Sequence, residues 1–475
     1  MNKSLLENIS YTTFSNFLTL IFGFLISIFV ARILQPQQMG EYSYFIWLMG
    51  VLSSVILLGI PNTLTKYISQ FYQVSESNIS GIVVLMIKIV VVNSFLVFLG
   101  LFIYFTFFEK KLLLMILIFT GVVSIVINGI YRSIAMGFEN FKIVAFNSCF
   151  VLLLQFFMII LILYKSPNYL TMTLVYIVCM IFSNLIYYLF FRKNKLISYN
   201  LNSIEILEDK QRKNMFRYLT FTSANILLSI IVWEKSEIFF LKIFSTSDDL
   251  AFYSIAFTLA YLPNRILTFG NVIMPYMSRL YGDRENLVEI EKGYTRATIV
   301  TAFLIIPVYV FLFVYSNEII IILYGKNYFF TTKILKILIV GGLITGIASV
   351  GSSYVQARER ADLIFKISIF VAVINILLDF TLIPSYKSIG ASYANITAQM
   401  LGCFLGTSYL IIKYKVSFPY FSILRFLVTS IILVYLSRLI FNTNPSILNL
   451  FFVLILYMLF FSILNYRQVA DILIR

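Results

Sequence analysis

The chain has 475 residues, 60% hydrophobic and only 12% charged, with a formal net charge of +15 and a mean hydropathy of +0.92. Soluble domains average roughly 45–50% apolar and about 25% charged residues, so a water-facing globule is excluded and an integral membrane protein is implied. There is no histidine, which removes histidine catalysis, histidine metal ligation and histidine pH switching.

A bilayer core takes ~20 apolar residues per helix. Runs of that length are predicted at 11–34, 42–64, 80–108, 112–131, 143–164, 170–191, 216–241, 250–276, 297–316, 331–355, 363–384, 388–412, 422–441 and 446–465. Barrel strands would read as alternating segments of ~10 residues, so the fold class expected is an all-α polytopic bundle of about fourteen transmembrane helices. The count falls to twelve or thirteen if the last hairpin does not cross. The first run is about twice the ~7–15-residue core of a cleavable signal and is followed by Arg32, so it is expected to stay as a span.

Lysine and arginine are retained on the cytoplasmic side of short loops. With a cytoplasmic N-terminus, 23 of the 36 bases fall inside, ten fall outside, and Lys88, Lys235 and Arg265 lie within spans. Both termini are therefore expected in the cytoplasm, and this bias accounts for most of the net charge without invoking nucleic acid. The longest connector, 192–215, mixes Arg192, Lys193 and Lys195 with Glu205, Glu208 and Asp209. It reads as a solvated linker facing anionic lipid, placed after span 6, where a two-lobed transporter needs a connector.

An internal repeat supports that division. The hinge Arg32-Ile33-Leu34 with Gly40-Glu41-Tyr42-Ser43 has a counterpart in Lys242-Ile243-Phe244 with Ala251-Phe252-Tyr253-Ser254. Tyr42 and Ser43 map to Tyr253 and Ser254 at an offset of 211, as does Gly59 to Gly270, each followed within five residues by Pro61 or Pro275. The expected organisation is a six-helix lobe (1–191), the basic linker (192–215), a second six-helix lobe (216–412), and two additional helices with a short tail (413–475). Lobes of six spans have parallel topology and leave a cleft that can open to either side, which points to transport.

At these residues the chain resembles the polysaccharide-transporter branch of the multidrug/oligosaccharidyl-lipid/polysaccharide exporter superfamily. The resemblance is carried by Val30-Ala31-Arg32-Ile33-Leu34-Gln35-Pro36 running to Met39-Gly40-Glu41-Tyr42, and by Gly59-Ile60-Pro61 with Lys66-Tyr67. The second lobe adds Gln356-Ala357-Arg358-Glu359-Arg360, Asn375-Ile376-Leu377-Leu378-Asp379-Phe380 and Ile389-Gly390-Ala391-Ser392-Tyr393-Ala394. The chain departs at Gln35, where the family usually has glycine, and at Ser392, where alanine is common.

The resemblance implies two six-helix bundles in a V around a central cavity. It further implies a flippase carrying a polyprenyl-(pyro)phosphate-linked oligosaccharide to the outer leaflet of the cell membrane, by alternating access and without ATP hydrolysis. O-antigen and capsule assembly are pathways of this kind. The partners implied are the lipid-linked oligosaccharide, membrane lipid, and the glycan polymerase and glycosyltransferases of the same pathway. A cation-coupled multidrug exporter and a peptidoglycan-precursor flippase are the alternatives within the superfamily; a membrane polymerase or ligase is the alternative outside it, and the short, acid-poor outer loops argue against that one.

A phosphate headgroup crossing ~30 Å of hydrocarbon needs a hydrated cationic path. Arg265, near the middle of predicted span 8, is the first substrate-path candidate, with a structural ion pair to Glu234 or Glu237 as the competing reading. Lys88, near the inner end of span 3, competes with snorkelling, and Lys66 and Arg32 sit at span ends. Glu234, Lys235 and Glu237, toward the outer end of span 7, are candidates for ion coupling or ion pairing, with interfacial charges as the alternative. Asp379 reads as a packing or capping residue. No ATP-binding loop is present, Gly325-Lys326 lacking the upstream glycine, and Cys149, Cys179 and Cys403, far apart inside apolar stretches, have a spacing that supports neither a disulfide framework nor a zinc motif and read as small buried hydrophobes. No cofactor or metal is expected.

Overall fold

The computed structural model describes residues 3–72, 76–162, 167–194, 209–233, 236–267, 287–358, 360–440 and 447–474. Among them every regular element is helical. In hydrocarbon this is the arrangement that satisfies each backbone N–H and C=O within its own segment. In chain order the helices are Lys3–Leu57 (α1), Ile60–Phe71 (α2), Glu76–Tyr104 (α3), Leu112–Gly137 (α4), Phe141–Ile162 (α5), Tyr169–Asn194 (α6), Asp209–Trp233 (α7), Glu237–Phe244 (α8), Ser247–Ile266 (α9), Leu287–Val314 (α10), Ser316–Tyr324 (α11), Thr331–Ala357 (α12), Ala361–Tyr414 (α13), Tyr420–Ile440 (α14) and Ile447–Ile474 (α15).

Ten of the described helices are long and apolar enough to cross a bilayer. Two of these are double runs: α1 breaks at Gln35 (φ 62°, ψ 164°) and holds predicted span 1 and most of span 2, which continues into α2 after a turn at Leu58–Gly59, and α13 breaks at Lys387 (φ 52°, ψ −130°) and holds spans 11 and 12. Predicted span 7 falls on α7 and α8, and the described part of span 8 on α9; α7 and α9 are more polar and α8 is only eight residues long, so they lie outside the ten. The expected all-helical polytopic fold is thus the one observed. Their outward faces are apolar, with Leu113, Phe421 and Leu448 being 84%, 90% and 80% exposed, while Thr173, Asp379, Ser388 and Ser392 are fully buried. That is the reverse of a soluble protein and matches a lipid surround.

The breaks explain a sequence departure. Pro36 disfavours helical geometry at Gln35, and the backbone there enters a region that glycine alone occupies freely. Lys387 is placed in the same way and is exposed. Lys387→Gly is therefore expected to raise stability by roughly 1–3 kcal/mol, measured as an increased melting temperature of the purified chain. The offset of 211 carries Gln35 onto Thr246, and Thr246 (φ −94°, ψ 161°) also lies between two helices, α8 and α9. There the Thr246 hydroxyl accepts from the Asp249 amide and donates to the Asp249 carboxylate at 2.8 Å, a side-chain cap on the first turn of α9. Ser388, the residue after the α13 break, donates to the same carboxylate at 2.5 Å.

The chain divides into two compact units, Met1–Lys235 and Ser236–Arg475. The first is built around Met49, Ile56, Leu64, Ile82, Ile118 and Tyr187. Helix α7 belongs to it, packed on α2 and α1, because Gly59 lets two backbones approach. A Cβ at Gly59 would press on the Thr222 hydroxyl and lie 2.7 Å from the Leu219 carbonyl oxygen, while the Gly59 amide donates to Ser223 Oγ at 3.1 Å. Gly59→Val is expected to cost roughly 1–3 kcal/mol through overpacking, read as a lower melting temperature.

In the second unit α14 and α15 pack on α10 through Ile306, Phe311, Phe426, Tyr457 and Phe461. Tyr457 donates to the Pro307 carbonyl at 3.1 Å, and Arg438 pairs with Glu318 at 3.2 Å. Pro263 removes a donor from α9, and nearby Tyr309 donates to the Ala260 carbonyl at 2.9 Å. Side chains thus support a proline-interrupted helix, as a membrane interior requires.

Candidate functional site

The second unit encloses a polar cluster in an otherwise apolar interior. Glu237 opens α8, Asn375 and Asp379 stand one turn apart on α13, Asn395 follows the α13 break, and Tyr253 and Tyr261 come from α9. All six are buried, Asp379 and Tyr253 completely. The i, i+4 spacing puts Asn375 and Asp379 on one face, turned toward α8.

One carboxamide joins the two acids. Asn375 Nδ2 lies 3.3 Å from Glu237 Oε1, 3.3 Å from Asp379 Oδ2 and 3.0 Å from Ser236 Oγ. Asn395 Nδ2 donates to Glu237 Oε1 at 2.8 Å, and Tyr261 donates to Asn395 Oδ1 at 2.9 Å. The Ser236 hydroxyl donates to Asp379 Oδ2 at 3.4 Å. Among the described residues neither carboxylate bonds to lysine or arginine. Asp379 Oδ1 and Asn375 Oδ1 are buried acceptors without a described partner.

Two carboxylates around one amide nitrogen in a low-dielectric interior cannot both carry an uncompensated charge. The donor set is all oxygen: carboxylates, amide carbonyls and a hydroxyl. It fits a proton or a small hard cation and not a transition metal, and among the described residues no three of His, Cys, Asp or Glu are grouped so as to hold a metal ion. Asp379 is accordingly no helix cap; it sits mid-helix with its carboxylate turned to Ser236 and Asn375.

The other candidates separate. Arg265 is exposed in the last turn of α9, which ends at Ile266; the rest of predicted span 8 lies outside the described residues. Its cation complements the negative end of that helix. The described partners of Glu237 are amides, not Arg265. Glu234 and Lys235 lie outside the described residues. Lys88 is exposed on α3, and Arg32 is exposed three residues before the α1 break. Lys66 is exposed on α2, with Nζ 3.9 Å from the centre of the Tyr218 ring. Sequence reasoning named Glu237 but missed Asn395, Tyr253 and Tyr261, whose polar atoms are hidden among apolar neighbours; the Asn375–Asp379 spacing was the available signal.

No curated protein matches the sequence. Among solved structures, the chain is similar to the lipid II flippase MurJ in an inward closed conformation, with a TM-score of 0.74 and 20% identity over 99% of this chain and 100% of that one. It is similar to an inward-facing multidrug resistance MATE family transporter of the MOP superfamily, with a TM-score of 0.65 and 15% identity over 84% and 96% of the two chains. A MOP superfamily transporter from Pyrococcus furiosus aligns with a TM-score of 0.55 and 15% identity over 86% and 96%. These likenesses establish the fold, that of the MurJ and MATE transporters. The family model described as polysaccharide biosynthesis protein matches residues 5–281. With more than half its length matched on a transporter fold, the chain is a member of the polysaccharide biosynthesis protein family.

Proposed function

We propose that the protein is a flippase that carries a polyprenyl-(pyro)phosphate-linked oligosaccharide from the inner to the outer leaflet during assembly of a cell-surface polysaccharide. Membership of a polysaccharide-biosynthesis family by a chain with a transporter fold is the observation that carries this reading. The two six-helix lobes rock around a cleft without ATP hydrolysis, with both termini cytoplasmic in the cell membrane, as the base distribution favours. Arg265, Arg32, Lys66 and Lys88 supply positive charge along the headgroup's path. Glu237 and Asp379 accept the coupling proton or cation, and their neutralisation is linked to the conformational cycle. Glycan polymerase and glycosyltransferases of the same pathway are the partners this role calls for.

A peptidoglycan precursor as cargo is the second reading, favoured by the likeness to the lipid II flippase. A cation-exporting drug transporter is less well supported, because every buried acid among the described residues belongs to the second unit. The test is complementation of strains lacking either type of flippase. Rescue of glycan export alone supports the proposal, rescue of peptidoglycan synthesis supports the second reading, and drug resistance without either rescue overturns both.

A further inference from the structure

On the first unit, α2 and α7 flank an open pocket of about 630 Å³, within the roughly 300–1,000 Å³ of ordinary ligand clefts. Two cations line it, Lys66 and Arg217, together with the carboxamides of Gln211 and Asn214 and the rings of Tyr67 and Tyr218. No acidic side chain stands among its described lining residues. The lysine is held in place: Nζ is 3.9 Å from the Tyr218 ring centre and 5.4 Å from that of Tyr67, and the rings pack edge to face at 6.2 Å. A ring face attracts the ammonium without accepting its protons in strong hydrogen bonds, so donors remain for an anion. Arg217 adds a planar fork suited to two phosphate oxygens. Gln211 Oε1 is buried without a described partner, an acceptor ready for a ligand hydroxyl.

The pocket lies just past the end of predicted span 2, at the end of the unit that also carries Arg132, Lys142 and Arg192. A basic cleft between transmembrane helices at that level meets lipid headgroups before soluble anions. We infer that this pocket binds a lipid-borne phosphate at the membrane surface and, resting on the flippase reading, receives the diphosphate of the cargo before transfer. Helix α7, joined to α2 at Gly59, makes the second wall of the site, so a conformational change that moves α7 would release the headgroup.

The test uses the full-length chain in phosphatidylcholine nanodiscs, with farnesyl diphosphate as the probe in titration calorimetry. The wild type is expected to bind. Lys66→Gln and Arg217→Gln should each weaken binding roughly tenfold, and the double variant further, while Lys333→Gln, in the second unit, binds as wild type. Repeating the titration in nanodiscs that contain phosphatidylglycerol separates the sources: unchanged affinity marks a site selective for diphosphate cargo, and competition marks one for bulk anionic phospholipid. Absence of binding by the wild type, or undiminished binding by a double variant with an unchanged melting temperature, overturns the pocket. Transbilayer movement is measured in parallel. Binding through Lys66 and Arg217 without any movement of a polyprenyl-pyrophosphate saccharide would sink the flippase reading and leave the pocket standing; movement with binding unaffected by the variants would do the opposite.

Discussion

Glu237→Gln is expected to leave the protein folded and in the membrane while abolishing the response of transport to an ion gradient. The substitution keeps the shape and the hydrogen bond from Asn395 and removes a buried charge with no described basic partner. A neutral isostere at such a position commonly costs little and often stabilises. A purely structural Glu237 would behave differently: its loss would lower the melting temperature and reduce transport in proportion to the folded protein. Asp379→Asn should reproduce the loss of gradient dependence, and the double variant should add little, because the two acids act as one unit around Asn375. The readout is the initial rate of cargo movement in proteoliposomes with and without imposed proton or sodium gradients. A variant that retains the wild-type gradient response would remove this cluster from the coupling mechanism.

The second large effect is expected at Arg265. Arg265→Ala should fall roughly 100-fold or more in complementation of a flippase-deficient strain while still reaching the membrane, because a headgroup phosphate loses a charge-assisted contact in an apolar setting. Arg265→Lys retaining activity would identify charge, not a two-point contact, as the requirement. Normal glycan export by the alanine variant would take Arg265 out of the path. Its place in the last turn of α9, beside Pro263, puts the cation where the helix gives way, which suits a residue that must move as well as bind.

Much of the fold was legible because a bilayer leaves a chain few options. Runs of apolar residues had to be helices, and the hinges between Leu34 and Gly40 and between Phe244 and Ala251 were readable from the repeat alone. What the residues did not disclose was the docking of α7. Its sequence begins with a polar stretch after a linker, and it is contacts with distant residues, the close approach at Gly59, the Tyr67–Tyr218 ring pair and burial of Met215, that place it with the first unit. The strained backbone at Lys387 was also hidden, since no proline or glycine adjoins it. At the site, Glu237 stood out as an acid in an apolar run, whereas Asn395 and Tyr261 look like any polar residue in a transmembrane helix until α8, α9 and α13 converge. The pocket by Lys66 needed Arg217 and Tyr218, which lie more than 150 residues further along the chain, a juxtaposition that no local spacing announces.

The measurement that bears most directly on the proposed function is transbilayer movement of a labelled polyprenyl-pyrophosphate saccharide in proteoliposomes holding the wild-type chain. Movement well above protein-free vesicles, lost in Arg265→Ala, is the result expected of a flippase with a cationic path. Movement no faster than in protein-free vesicles, under proton and sodium gradients of either direction, would contradict it.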